Sequence, residues 1–453
     1  MKRSRRIGLL FVALDIVATI ATFNTVMRLR ATPAFNTFFF WPLLVPILAL
    51  LIVVYLIDGY DTRTDMMALD YTSQHVIALL SAMFVVLLIT FGLIGAGYAL
   101  QSSRAVILLA YVALIPLTLT YRRVWTGRQA RLKQQRHLVF IGDEASFATF
   151  RAECERQQTH FKAVFAAPGA APEEGPAISV AEVLRKIDRA EFEVEGIVLR
   201  EGGRMLEPAV AERLVRLHFQ GIPTYTLELF HETYWRKIPL YRLNPTWLFQ
   251  EGFRVAREPV FERVKRMSDL LLAGFGIVIS SPILALAALG IWLEDRGPVF
   301  YGQTRIGRHQ RPFRLFKLRT MRAGSATGED RYTRPGDSRI TRMGRFLRAT
   351  RIDEFPQLWS VLKGDMSLIG PRAEWDRLVS DYERQIPFYH FRHMVRPGIT
   401  GWAQVNYPYG ANLTDTLRKL EYDLYYIRHY SFTLDASIVL KTIHTMISAK
   451  GSR

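Results

Sequence analysis

The residues of this chain best suited to chemistry crowd into 351–375, RIDEFPQLWSVLKGDMSLIGPRAEW. Asp353 and Glu354 are adjacent, just ahead of Pro356. The stretch FPQLWSVLK places Phe355, Leu358, Trp359 and Leu362 at helical spacing, and Gly364 closes it. Proline is tolerated in a first turn, so the acidic pair is expected at a helix N-terminus. One reading is structural: acids there cap free N–H groups and suit the helix dipole. Capping needs one carboxylate and leaves the second unexplained. The other reading is phosphoryl transfer. One carboxylate attacks phosphorus and becomes an acyl phosphate. Another holds Mg²⁺, a hard cation that prefers oxygen ligands. Cationic side chains neutralise the phosphate oxygens, and a helix N-terminus favours the phosphate. Asp365, Arg372, Lys317 and Arg319 are the residues expected to converge on the pair.

Neighbouring elements must deliver those groups. In GPVFYGQTRIGRHQRPFRLFKLRTM, two strand-like runs flank the turn-like GRHQRP, which reads as a hairpin. Side chains alternate along a strand, so Lys317 and Arg319 share one face, where two cations can hold a phosphate. SRITRMGRFLRATR spaces Arg339, Arg342, Arg345, Arg348 and Arg351 three apart, with Ile340, Met343, Phe346 and Leu347 on another side. Such a helix suits an anionic lipid surface or a solvated face.

The chain has 453 residues, 49% hydrophobic and 22% charged, with a formal net charge of +18. That mixture suggests membrane segments joined to soluble domains, and an anionic partner. Cys154 is the single cysteine, which excludes an internal disulfide framework and a cysteine zinc site. Four apolar runs fall at 7–27, 37–57, 75–99 and 105–120. The first three reach the ~20 residues that cross a bilayer core, while the fourth is shorter and carries Pro116. The basic start MKRSRR has no cleavage site after it and reads as a retained anchor. Lys2, Arg3, Arg5 and Arg6 precede the first run; Arg122, Arg123, Arg128, Arg131, Lys133 and Arg136 come after the fourth. Both ends then face the cytoplasm, although Arg28 and Arg30 in the first outer loop run against the pattern. Asp15, inside the first run, reads as a helix-to-helix polar contact or an intramembrane polar site.

Residues 137–255 read as α/β, with strands HLVFIG, FKAVFAA, GIVLR and IPTYTL and helices SVAEVLRKI and AVAERLVRLHF. The first strand ends in GDEASF, where a dinucleotide fold wants G-x-G-x-x-G. With Gly142 alone, a Rossmann-like sheet without a bound nucleotide is expected, serving as spacer or interaction domain. Beyond it, the apolar run 270–293 has Ser280, Ser281 and Pro282 at its middle. Either it is a kinked fifth crossing or it breaks at Pro282 and re-enters its own side. A fifth crossing would export a strongly basic segment, which favours re-entrance. His390 and His393 in HFRH lack carboxylates at metal spacing and read as core or interface residues. Tyr422, Tyr425 and Tyr426 either pack a core or sit at headgroup level.

Several motifs occur in order: KRMSD…SSP, GPVFYGQTRIGR, FKLRTM, RIDEFPQLWSVLKGDMSLIGPR, RPGITGWAQVN and YDLYYIRHYSFTLD. Over about 260–445 the chain resembles the bacterial sugar transferases, the polyprenyl-phosphate hexose-1-phosphate transferases, and its layout resembles their long form in exopolysaccharide and capsule assembly. That resemblance implies a multi-pass protein of the bacterial inner membrane. Its parts are a four-helix transmembrane region (1–121), a basic cytoplasmic linker (122–136), a Rossmann-like regulatory or oligomerisation domain (137–257) and a cytoplasmic α/β catalytic domain (258–453). The catalytic domain would carry a re-entrant helix, 266–293, broken at Ser281 and Pro282. The implied reaction moves hexose-1-phosphate, with glucose as the expected sugar, from a UDP-sugar to undecaprenyl phosphate and releases UMP. By the same resemblance Asp353 is the nucleophile and Glu354 positions Mg²⁺ or the attacking group. Which of the two holds the metal stays open. Lys317 and Arg319 match the family's basic strand, Arg372 its phosphate contact and Asp423 its D-x-Y-Y aspartate; Arg396 and Gln404 would help bind the nucleotide. Implied partners are the donor, the lipid acceptor and membrane lipid, with the middle domain a candidate dimer surface. Ala373, where a second proline is usual, and Phe355, for a common leucine, are departures that remove no reactive group. The alternatives are a membrane nucleotide-sugar hydrolase and a non-catalytic scaffold. Charge alone suggests nucleic acid, but no recognition module is visible.

Overall fold

The structure is a computed structural model. It describes residues 2–30, 41–60, 64, 66–67, 69–92, 104–133, 137–157, 162–167, 178–189, 191, 194–200, 207–240, 259–322, 337–407 and 412–447. They divide into two compact units, 1–137 with 160–162, and 138–159 with 163–453.

The first unit is helical: α1 (Lys2–Leu29), α2 (Leu44–Leu56), α3 (Leu69–Gly92) and α4 (Arg104–Lys133). Each packs on the next, and α1 closes on α4, around Phe23, Leu50, Leu79, Val86, Ile107 and Leu114. Ile7–Leu29, Tyr71–Phe91 and Arg104–Arg128 are long and apolar enough to cross a membrane; Trp41–Leu56 is apolar but shorter. The fourth run is thus longer than expected, while of the second, 37–57, residues 37–40 lie outside the described residues. Pro116 does not end α4, because a proline removes a single ladder bond from a helix that is apolar well past it. The same helix continues to Lys133, so 122–133 of the expected linker is helical. Asp15 makes a fully buried ion pair with Arg122 at 2.6 Å, and Tyr60 donates to it at 2.7 Å. This is the helix-to-helix contact among the two readings of Asp15.

The second unit begins with β1 (His137–Ile141), α5 (Glu144–Arg156), β2 (Lys162–Ala167), β3 (Ile178–Ser179), α6 (Val180–Asp188), β4 (Val194–Leu199), α7 (Pro208–Phe219), β5 (Thr224–Thr226) and α8 (Leu227–Phe230). The sheet order is β3-β2-β1-β4-β5, with β2/β3 and β4/β5 parallel. All four expected strands form; the two-residue β3 had no visible alternation to reveal it. At the first strand-to-helix turn Asp143 caps α5, accepting from Ser146 N at 2.9 Å, and pairs with Arg200. A carboxylate therefore stands where a dinucleotide fold brings pyrophosphate. The buried Lys237 joins this sheet region to the rest of the unit, reaching Glu153 at 2.5 Å and Glu421 at 3.1 Å.

The remaining elements are α9 (Pro259–Asp295), β6 (Phe300–Ile306), β7 (Pro312–Leu318), α10 (Arg342–Thr350), α11 (Gln357–Lys363), β8 (Ser367–Ile369), α12 (Asp376–Gln385), β9 (Gly398–Thr400), α13 (Trp402–Asn406), α14 (Leu413–Arg428) and α15 (Phe432–Ile447). The expected hairpin is β6/β7, antiparallel, with Tyr301 opposite Lys317. Tyr422, Tyr425 and Tyr426 are buried in a core with Trp402, Leu420, Leu424 and Ile438, so they pack the interior.

Helix α9 runs 37 residues with Pro282 inside it. The expected break at Ser281 and Pro282 does not interrupt the helix. Pro282 deprives the Val278 carbonyl of its donor, and the Ser281 hydroxyl donates to that carbonyl at 2.8 Å. Both ends of α9 hold the same α/β body. Near the start, Arg266 donates to Val361 O and Leu362 O at 2.6 and 2.8 Å, and Asp269 accepts from Leu368 N at 3.0 Å. At the far end Glu294 accepts from Arg342 N and Met343 N at 2.8 and 3.1 Å. Between these anchors Leu271, Phe275, Val278, Ile279 and Leu286 are exposed.

Candidate active site

Three segments meet at the acidic pair. Strand β7 carries Lys317. Between α10 and α11 a single 3-10 turn, Ile352–Glu354, holds Asp353 and Glu354. The loop after β8 carries Arg372, which bridges to Gly398 of β9. Arg351 ends α10 at φ 59°, a left-handed conformation that costs a non-glycine residue about 1–3 kcal/mol and turns the chain sharply into the dyad. A Cβ on Gly398 would lie 2.0 Å from Gly370 N, so only glycine lets β9 approach the Gly370-Pro371-Arg372 turn.

Glu354 accepts from Lys317 Nζ at 2.7 Å and from Arg372 Nη2 at 3.3 Å, both on Oε1. Burial works to raise its carboxyl, but Arg372 and Lys317 outweigh burial and hold it well below the usual glutamate range. Asp353 is 8% exposed, and its Oδ1 is buried without a hydrogen-bond partner. Burial lifts the Asp353 carboxyl above the ordinary aspartate value; Lys317 pulls against this and the Glu354 charge adds to it. Burial likewise draws the Lys317 ammonium down, against the charge of Glu354. The adjacent carboxyls are thus displaced in opposite directions, which favours the anion at Glu354 and leaves Asp353 the more basic of the two. Neither caps α11, whose N-cap position is Pro356 and has no side-chain cap.

The other expected residues have partners elsewhere. Arg319 pairs with Asp295 at the end of α9. Arg396 binds Glu262 at 3.0 Å and Gly364 O at 3.3 Å. Gln404 donates to Ile399 O at 3.1 Å while its Oε1 is buried without a partner. Asp365 lies 3.5 Å from Lys363. Asp423 is buried and accepts from Arg392 at 2.9 Å; Arg392 also donates to Arg372 O at 3.0 Å. Asp423 therefore stands behind Arg372, three links from Glu354. Burial pushes its carboxyl up to about 6, against the pull of Arg392.

Sequence reasoning misses Arg392 because it lies inside HFRH, where the histidines are the conspicuous residues. His393 is buried, and burial with the Arg392 charge lowers it to about 3, which fits a neutral core residue. Arg348 and Arg351 stand out in the sequence only as part of a lipid or solvent face. Arg348 donates to Thr320 at 2.8 Å, and both add positive potential at Asp353.

Residues 260–449 match the model of a family described as bacterial sugar transferase. A UDP-glucose:undecaprenyl-phosphate glucose-1-phosphate transferase of Caulobacter vibrioides is 41% identical over 186 residues, which cover 41% of this chain and 70% of that protein. The chain belongs to the bacterial sugar transferase family. A UDP-N-acetylgalactosamine-undecaprenyl-phosphate N-acetylgalactosaminephosphotransferase of Aeromonas hydrophila is 42% identical over 240 residues, 53% of this chain and 56% of that protein. A UDP-glucose:undecaprenyl-phosphate glucose-1-phosphate transferase of Escherichia coli is 40% identical over 184 residues, 40% of this chain and 39% of that protein. The chain thus spans little more than half the length of the Aeromonas relative. In this sugar transferase the matched segment runs from α9 through α15 and holds every site residue above.

Proposed function

We propose that this sugar transferase moves a hexose-1-phosphate from a UDP-sugar to undecaprenyl phosphate, releasing UMP, with glucose as the first sugar to test. The observation that carries the mechanism is the division of the dyad: Glu354 is fixed as an anion by Lys317 and Arg372, beside a buried Asp353 with a bare Oδ1. In the first step an Asp353 oxygen attacks the phosphorus that bears the sugar. The bond from that phosphorus to the UMP oxygen breaks, UMP leaves, and an aspartyl phosphosugar remains. In the second step an oxygen of the lipid phosphate attacks the same phosphorus. The aspartyl bond breaks and a lipid diphosphate sugar forms. Raised basicity makes Asp353 the better nucleophile of the two, while Lys317 and Arg372 stand where phosphate charge develops. A covalent intermediate also lets a water-soluble donor and a lipid acceptor use one site in turn.

The dyad fits Mg²⁺, since that ion takes one or two carboxylates and fills its shell with water and substrate phosphate. Bound by Asp353 or Glu354, it would neutralise charge on the transferred phosphate.

We read α1–α4 as four crossings of the bacterial inner membrane and the catalytic body as cytoplasmic. We read α9 as re-entrant. Its two anchored ends support this: a straight helix of that length is about 55 Å long and would carry its ends beyond both sides of a ~30 Å hydrocarbon core. The sheet order supports a degenerate Rossmann-like domain, which we assign to regulation or dimerisation.

The test is incubation with labelled UDP-sugars, Mg²⁺ and undecaprenyl phosphate. Wild type should form lipid diphosphate sugar and leave label on Asp353 when lipid is withheld. Asp353→Asn should lose label and at least about a thousandfold in turnover. UMP release that ignores the lipid would establish a hydrolase instead, and normal turnover by Asp353→Asn would remove the nucleophile.

A further inference from the structure

We infer that Asp295, at the carboxyl end of α9, is a positioning residue: its fork with Arg319 fixes the strand that carries Lys317 against the turn that carries Asp353 and Glu354. The inference rests on the transfer reaction proposed above. It gives Arg319 a different task from the phosphate contact that a basic strand suggests.

The geometry is closed on several sides. Arg319 lies just past the end of β7, two residues beyond Lys317, and its side chain is 8% exposed. Its Nη1 donates to Asp295 Oδ2 at 2.8 Å, and its Nη2 donates to Asp295 Oδ1. This is the parallel fork in which arginine binds carboxylate most specifically. Both terminal nitrogens are thus engaged, and the remaining Nε is buried without a hydrogen-bond partner. Asp295 Oδ1 also accepts from Gly297 N at 3.1 Å. A Cβ at Gly297 would come within 2.6–3.0 Å of the Arg319 guanidinium, so the chain passes directly over the guanidinium, while the Asp295 side chain is 24% exposed. A phosphate could reach Arg319 only by displacing Asp295 and opening this cover.

The clamp extends to the dyad. Glu294, the neighbour of Asp295, accepts the first N–H groups of α10, from Arg342 and Met343. Thr320, the neighbour of Arg319, accepts from Arg348 near the other end of α10 at 2.8 Å. The Thr320 carbonyl also accepts from Thr341 N at 3.1 Å. Helix α10 ends at Arg351, directly before the Ile352–Glu354 turn. A ring of contacts therefore runs from α9 through Arg319, Thr320 and α10 to the dyad, and from Lys317 back to Arg319 along the chain. The last turn of an apolar helix sets how Lys317 meets Glu354.

The experiment uses the full-length protein in lipid nanodiscs with UDP-glucose, Mg²⁺ and undecaprenyl phosphate. Asp295→Asn should lower kcat about ten- to hundredfold, the size expected from an ångström-scale misplacement, with the donor KM within about twofold. Asp295→Glu should restore most of that loss. Amide hydrogen exchange should quicken at 352–356 in Asp295→Asn. If Arg319 is instead a phosphate ligand masked by Asp295, Asp295→Asn lowers the donor KM or raises turnover, and the inference fails. It also fails if kcat is unchanged and faster exchange stays within 294–299. Should Asp295→Asn not fold, Arg319→Lys keeps the charge and removes the fork: a clamp loses kcat, a phosphate ligand loses donor affinity. A wild type that transfers no sugar phosphate from any UDP-sugar would sink the proposed reaction, and exchange at 352–356 would still decide the clamp.

Discussion

Replacing Lys317 with methionine probes how the dyad is charged. Lys317 and Arg372 converge on one Glu354 oxygen, at 2.7 and 3.3 Å. Methionine keeps most of the stem and removes the ammonium. Breaking a buried ion pair outright costs about 3–5 kcal/mol. Arg372 remains, so the loss is nearer that of one charge-assisted hydrogen bond, about 1.5–3 kcal/mol. At about 1.4 kcal/mol per pH unit, protonation of Glu354 moves up by about one to two units. Its folded-state carboxyl lies below the unfolded value of about 4.3, so its contribution to stability is complete above that pH and is lost as pH falls through the folded value. In the variant the two values approach each other and the contribution shrinks. The pH below which stability is lost should therefore move up, and the melting midpoint should fall by roughly 3–10 °C. The assay is the thermal melt across roughly pH 2–7, which brackets the carboxyl's own titration, with lipid-dependent UMP release at neutral pH on the same preparations. An acid unfolding transition and a midpoint that both match wild type would refute the assignment of Lys317 as a cation that holds Glu354 ionised.

Asp423 has its carboxyl raised to about 6, so its stabilisation is present below about pH 3.9 and is lost as pH rises through 6. Asp423→Asn should abolish that slope, worth up to about 3 kcal/mol between the two limits, in denaturant titrations at acid and neutral pH. A Cβ on Gly344 would sit 2.1 Å from the Thr320 carbonyl oxygen. Gly344→Ala should displace α10, cost about 1–3 kcal/mol and depress transfer, read by melting and turnover together. Lys237→Met would remove one of the two cations that Glu153 and Glu421 share, Arg418 remaining; the expected result is a loss of about 1.5–3 kcal/mol and faster proteolysis between the sheet and the catalytic body.

Asp353, Glu354 and Lys317 were legible because local rules placed them: a proline-led helix set the dyad, and strand alternation set Lys317. Arg319 obeyed the same alternation on paper, but β7 ends at Leu318 and the rule lapses one residue later. Its partner Asp295 is 24 residues away, beyond any periodic signal. Arg392 and Asp423 are 31 residues apart, and nothing local joins a residue of HFRH to one on α14. Helical spacing grouped Trp359 with Leu358 and Leu362 as one apolar set, yet it is 61% exposed while Gln357, Ser360 and Val361 are buried, because spacing names a face and not what covers it. The strands of the sheet region were visible as short apolar runs, whereas β3 has two residues and forms only because β2 lies beside it.

The pairing of Asp15 with Arg122 bears on how the first unit is made. Their side chains are separated by 107 positions in the chain. At a synthesis rate of about 5–20 residues per second, α1 exists for roughly 5–20 s before its counter-charge emerges. A lone aspartate at the middle of an inserted helix costs about 2.5–3.5 kcal/mol on the insertion scale. The apolar remainder of α1 has to carry that cost, eased by the Tyr60 hydroxyl, until α4 arrives with the counter-charge, so a chain truncated before residue 122 is expected to hold its first helix in a bilayer less firmly.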